Sequence, residues 1–206
     1  MFGREVFALT RSPVEARKSE TRQRILDAAR EMIREKGIDK VSWRSIARAV
    51  SYSPAGLYEY FDNKDAIVAA IAEEGREILD TAMEEANRSQ DVEARLIDMG
   101  RAYVRYAHEH PGYFQLVFSA LPSGRRSLEQ RASGAYALVR DAMRDGVDQG
   151  LFHAEGALHE EIMAYGFWGL AHGAASLQIT SLKDFDADFQ QADEEVFRMY
   201  LRGLHR

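Results

Sequence analysis

Residues 38–64 read IDKVSWRSIARAVSYSPAGLYEYFDNK, and the fold turns on how this stretch has to be packed. It holds two helical patterns of about eight residues each, too short to be stable alone in water. Ser42 is placed to cap the first, whose Ile46, Ala47 and Val50 face inward. After a turn at Ser51–Tyr52, Ser53 is placed to cap a third helix with Pro54 at its first position, ending near Phe61. Leu57 and Phe61 stand four apart and share its buried face. Ala55, Gly56, Tyr58, Glu59 and Tyr60 are left pointing outward or sideways. A short helix that is small at its start and aromatic further on fits a DNA major groove about 12 Å wide.

Helical periodicity continues on both sides of this stretch, and no segment alternates with period two for long. Residues 1–18 read as a flexible basic arm, and a first helix runs from about Ser19 to Lys36, with Gly37 as its C-terminal glycine. Its apolar stripe is Ile25, Ala29, Met32 and Ile33. Asp62 and Asn63 offer a cap to a long helix from Lys64 to about Arg88. Further helices are expected at about 91–110, 111–120, 126–149, 157–181 and 188–204, punctuated by Pro111, Pro122–Ser123–Gly124 and Gly150. The fold class is all-α, with about nine helices. The expected domains are the arm 1–18, a helix-turn-helix head 19–64 and a larger helical domain 65–206.

Composition narrows the function. The chain has 206 residues, 46% hydrophobic and 29% charged, ordinary for a globular protein. No cysteine is present, which removes disulfides, thiolate nucleophiles and cysteine metal sites. No apolar run reaches the ~18–20 residues that span a bilayer, and the first residues lack signal-peptide character. The expectation is a cytoplasmic protein with no membrane partner. The net charge of −6 conceals an asymmetry: residues 1–64 hold 13 Lys/Arg against 9 Asp/Glu, and the remainder 14 against 24. A cationic head on an acidic body suits one end meeting a polyanion.

At TRQRILDAAREMIREKG, VSWRSIARAV and SPAGLYEYFDNKDAI the chain resembles the TetR family of transcriptional regulators, over residues 20–70. The resemblance implies a helix-turn-helix that grips a double-stranded DNA operator. Arg44 would contact phosphate, with Ser53, Pro54, Ala55 and Gly56 at the groove end of the recognition helix. Tyr58 and Tyr60 would meet backbone or base edges, and Lys64, with the first N–H groups of its helix, would hold a phosphate. Read without the motif, the tyrosines could pack on the body, and Arg44 and Lys64 could be solvated charges. Ser51 stands where the family usually has glycine, Tyr52 where it has an apolar residue, and Gly56 where a threonine is common. Glu59 is unusual beside DNA, because it repels phosphate unless it accepts from a cytosine amino group.

Further along, YVRYAHEHPGYFQLVFSAL (103–121) and EIMAYGFWGLAHGAASLQI (161–179) concentrate aromatic residues. They resemble the TetR C-terminal domain type named for a Trp, His and Gly motif (WHG), here Trp168, His172 and Gly173. Tyr103, Tyr106, Phe114, Phe118, Trp168 and His172 are the expected lining of an apolar small-molecule site. The alternative for each is plain core packing. Gly166, Gly169 and Gly173 lie near one side of the penultimate helix, and the last helix has a broad stripe of Phe189, Val196, Met199, Tyr200 and Leu204. In the family the last two helices pair with their mates, which implies a homodimer. His108 and His110 stand two apart and point away from each other on a helix, so no metal is expected. No cofactor motif and no catalytic motif is visible. The expected function is a ligand-responsive regulator, a repressor released by a largely apolar molecule; the alternative is a helical carrier or enzyme with a vestigial head.

Overall fold

The computed structural model describes residues 12–119, 134–155 and 158–205. The chain forms two compact units, Met1–Ile71 and Ala72–Arg206. Among the described residues there are eight α-helices and no sheet, only a single isolated bridge between Phe152 and His205.

The first unit opens with α1, Pro13–Lys36. It begins earlier than expected, and residues 13–18 are helical rather than part of a loose arm. The reason is a capping box: Ser12 Oγ accepts from the Glu15 N–H at 3.2 Å, and a Glu15 carboxylate oxygen accepts from the Ser12 N–H at 2.9 Å. Pro13 at the first helical position adds a pre-set φ. Residues 1–11 of the expected arm lie outside the described residues. Ile25, Leu26, Ala29 and Ile33 form the buried stripe, and Gly37 ends the helix at φ 78°.

Helix α2, Trp43–Ala49, is capped by Ser42, whose Oγ accepts from the Ser45 N–H at 3.1 Å. The expected third α-helix is instead a 3₁₀ turn, Gly56–Glu59. Pro54 has no N–H to give, Gly56 is a poor helix former, and the chain must turn again by Asp62. A segment this short closes i→i+3 bonds more readily than it builds α turns. The core expected for this unit is present: Ile46, Ala47, Val50, Leu57 and Phe61 are all buried.

Helix α3, Lys64–Ala86, starts under an Asn63 cap, its Oδ1 accepting from the Ala66 N–H at 2.9 Å. The division between the units falls inside α3, after Ile71. The second unit holds α4 (Val92–Glu109), α5 (Pro111–Ser119), α6 (Ala135–Asp148), α7 (Glu160–Ile179) and α8 (Phe189–Arg202). Residues 126–133 of the helix expected at 126–149 lie outside the described residues. Helix α4 is the central element and packs against α5, α6, α7 and α8. Close approach needs glycine at two points. A Cβ on Gly100 would sit 2.7 Å from the Phe197 ring, and one on Gly146 would sit 2.3 Å from that of Phe152. Both rings are fully buried.

Candidate DNA-binding surface and effector site

In the first unit, α2 and the 3₁₀ turn carry the residues expected to meet DNA. Arg44 follows the capped start of α2 and is exposed. Ser53 Oγ accepts from the Gly56 N–H at 3.0 Å and closes the turn leading into the 3₁₀ segment, whose own N-cap is Ala55 rather than the expected Ser53. Pro54 and Ala55 are exposed. Gly56 is half-buried, because a Cβ there would lie 3.3 Å from the Tyr52 ring. Tyr58 is 62% exposed although it is an aromatic residue beside a packed core. Lys64 opens α3, where unpaired N–H groups give the helix end a partial positive charge.

Tyr60 sits differently from Tyr58. It is half-buried, edge-on to Tyr52 at 5.9 Å, and its hydroxyl is hydrogen-bonded with those of Tyr52 and Thr21. That hydrogen bond to Tyr52 holds the Tyr60 phenol above its ordinary range, while bonds from Thr21 and Tyr60 lower that of Tyr52. Two residues of this surface carried no signal of their own. Trp43 donates its indole N–H to the Pro54 carbonyl at 2.9 Å and lies 5.0 Å from the Tyr58 ring. Thr21, from α1, is buried beneath the tyrosine hydroxyls. Sequence spacing ties neither to the recognition segment, because their partners lie on other elements.

In the second unit the structure brings together the six residues expected to line the effector site. Tyr103 of α4 is fully buried, and its hydroxyl is 2.8 Å from His172 Nδ1 on α7. Around that pair, Trp168 is 4.7 Å from Tyr103, and Phe114 and Phe118 of α5 are 5.2 and 4.9 Å from His172. Tyr106 stands one step back, 6.5 Å from Phe114, with its hydroxyl already donating to the Gly75 carbonyl at 2.8 Å. Burial pushes the Tyr103 phenol well above its ordinary range and the His172 imidazole below its own, so both are neutral near pH 7. A neutral imidazole accepting from Tyr103 at Nδ1 carries its proton on Nε2. Trp168, His172 and Phe118 remain partly exposed, so the cluster is reachable.

Sequence reasoning missed Tyr136 of α6, 5.5 Å from Trp168, with its hydroxyl 3.0 Å from a Glu161 carboxylate oxygen. Burial, then that carboxylate, pushes its phenol up to about 12. An open groove of about 530 Å³ on α3 shares no lining residue with the cluster; its walls carry Glu74, Glu77 and Glu85. Of the two histidines considered for metal, His108 Nε2 is 2.8 Å from Gln178 Oε1, and His110 lies tilted against Tyr106 and edge-on to Tyr113. No helix among the described residues is long and apolar enough to cross a membrane.

A capped helix-turn-helix carrying exposed aromatic and cationic groups, with an all-helical body holding an aromatic cluster, defines a DNA-binding regulator of two domains. The chain matches the family described as bacterial regulatory proteins, tetR family, over residues 25–71. It matches the tetracyclin repressor-like C-terminal domain over residues 96–204. The chain therefore belongs to the TetR family of transcriptional regulators. UidR of Escherichia coli (strain K12), an HTH-type transcriptional regulator, is 30% identical over 138 residues, 63% of this chain and 68% of its own length. YobS of Bacillus subtilis (strain 168), an uncharacterized HTH-type transcriptional regulator, is 23% identical over 184 residues, 89% of this chain and 92% of its own. A solved structure from Rhodococcus sp. RHA1, of a protein with unknown function, matches with a TM-score of 0.77 at 22% identity, covering 98% of this chain and 100% of that one. At that identity the likeness concerns the fold alone. The family is one of DNA-binding regulators rather than enzymes, and the reading as a carrier or enzyme with a vestigial head falls away.

Proposed function

We propose that this regulator is a repressor, bound to its operator as a homodimer and released by a small, largely apolar effector. The observation that carries the effector reading is the aromatic cluster. Tyr103, Phe114, Phe118, Trp168 and His172 come from three helices and surround one hydrogen bond. Such a site offers apolar faces with a single polar handle, which suits an apolar molecule with one hydrogen-bonding group. Trp168 and His172 stand one helical turn apart on α7 with Gly173 next to them, and on that resemblance we propose the WHG type for this domain.

On the DNA side, Arg44, Ser53, Pro54, Ala55, Gly56, Tyr58, Tyr60 and Lys64 form the proposed contact set. Tyr58 is exposed, Gly56 would offer backbone, and Tyr60 is half-buried. Arg44 and Lys64 would neutralise phosphates and set the register. Dimerisation through α7 and α8 is supported by the apolar side chains these helices leave in water: Ile162, Tyr165, Leu177, Val196 and Met199. Among the described residues, nothing beyond their own helix turn lies within 4 Å of where a Cβ on Gly169 or Gly173 would point, so a partner helix has room to approach. An effector shifts the equilibrium only by its differential affinity for the bound and released conformations. Helix α3, continuous from Lys64 to Ala86, is the proposed lever.

The test is fluorescence anisotropy on DNA upstream of the protein's own gene, across salt, beside a Tyr58→Ala/Lys64→Ala variant. Log K falls with log salt at about 0.9 per phosphate contacted, and the variant loses affinity and part of the slope. Flat, weak binding shared by both proteins would remove this fragment as an operator and the contact set with it.

A further inference from the structure

The recognition segment of this chain has little to hold its outer edge in place. Gly56–Glu59 is a 3₁₀ turn of four residues, too short to be rigid by its own hydrogen bonds. Leu57 and Phe61 anchor it from inside, and they set its depth. They do not set the pose of the outer edge, where Pro54, Ala55 and Tyr58 face solvent.

Trp43 touches both ends of that edge. Its indole N–H reaches eleven residues along the chain to the Pro54 carbonyl at 2.9 Å. Its ring lies 5.0 Å from Tyr58, tilted at 40°. From the other side Tyr52 closes on the same segment, with its ring against Gly56 and edge-on to Tyr60. The three departures from the family's usual pattern are thus coupled. A Cβ at position 56 would lie a tight 3.3 Å from the Tyr52 ring, and Ser51, next to Tyr52, takes a left-handed φ of 61°.

We infer that Trp43 is a positioning residue for operator reading: it braces Pro54–Tyr58 against α2 and fixes the rotamer with which Tyr58 meets DNA. The inference rests on the DNA-reading function and adds a determinant of its specificity. Trp43 acts through Tyr58 and the Pro54 main chain, not by contact of its own. Free to rotate, Tyr58 would have to be ordered at each half-site on binding, so removing the brace weakens a dimer roughly tenfold or more.

The experiment starts with enrichment of sequences from a pool of randomised duplexes by the full-length wild-type protein. Dissociation constants on the enriched duplex and on a scrambled one are then measured for wild type, Trp43→Phe, Trp43→Ala, Tyr58→Ala and Trp43→Ala/Tyr58→Ala, with a melting temperature for each. Trp43→Ala is expected to lose roughly tenfold or more on the enriched duplex and little on the scrambled one. That loss shrinks at least roughly threefold when Tyr58 is already alanine, since the two residues act as a unit. Trp43→Phe keeps the ring contact, loses the indole N–H and falls between; it also keeps the inference testable if the alanine variant does not fold. Additive losses, or equal losses on both duplexes, would overturn the brace. Failure of the wild-type protein to enrich any sequence would overturn DNA reading itself, and the brace with it.

Discussion

Ser51 is the one non-glycine residue among those described with a positive φ, 61°. An L side chain in that region costs roughly 1–2 kcal/mol, so Ser51→Gly should raise stability by about 1 kcal/mol. For a chain of this size that is a melting temperature higher by about 2–4 °C in a calorimetric scan. No gain, or a loss, would show that the serine is held there without strain. His172 makes a pH prediction. Burial lowers its folded pKa below the ordinary value of 6.5. Below that value the unfolded chain binds the proton first, so folding stability falls as pH drops from 6.5 towards the depressed folded value. Melting temperatures of wild type and His172→Gln, compared between pH 7 and pH 5, should show the wild type losing ground. A constant difference would mean that His172 titrates normally.

Among the elements, helix boundaries are most legible where the cap is local. Ser42 and Asn63 each cap the helix beginning at the next residue, because an N-cap needs only a neighbour three residues on. The start of α1 is legible too, in Ser12-Pro13-Val14-Glu15, but a basic, polar stretch reads as disorder unless the capping box is noticed. Periodicity cannot tell the 3₁₀ turn from a helix, since four residues show no period. Helix packing gives a sharper prediction. Gly146→Ala drives a methyl into the buried Phe152 ring and should cost about 1–3 kcal/mol. Gly169→Ala meets nothing beyond its own helix turn among the described residues. Differential scanning of the two variants should separate them, and equal melting temperatures would show that the α6–Phe152 contact relaxes freely.

Over the full chain, the charge asymmetry and the exposed apolar stripe work together. A net charge of −6 disfavours non-specific attraction to DNA, which leaves binding to a local cationic head. In the proposed homodimer that head is doubled, which would let a short recognition segment suffice. Tyr165 and Met199, 72% and 66% exposed on α7 and α8, are central to the proposed interface. Tyr165→Glu/Met199→Glu should sediment as a monomer, keep its helical circular dichroism and lose operator binding. A variant that remains dimeric would move the interface elsewhere.

The helical class, the caps, the inward faces of the short helices and the list of aromatics are all contained in the amino-acid order, because each depends on residues within one or two turns. Which of those aromatics meet is decided only by tertiary packing. Tyr103 and His172 are 69 residues apart, and Trp43 and Pro54 lie on different elements, so no periodicity relates them. Tyr58 and Tyr60 look equivalent as sequence, two residues apart on one short segment. Packing separates them, leaving Tyr58 in water against Trp43 and half-burying Tyr60 edge-on to Tyr52. The physical reason is that local rules act through backbone geometry, whereas burial and hydrogen-bond partnership depend on which elements the packed core brings together.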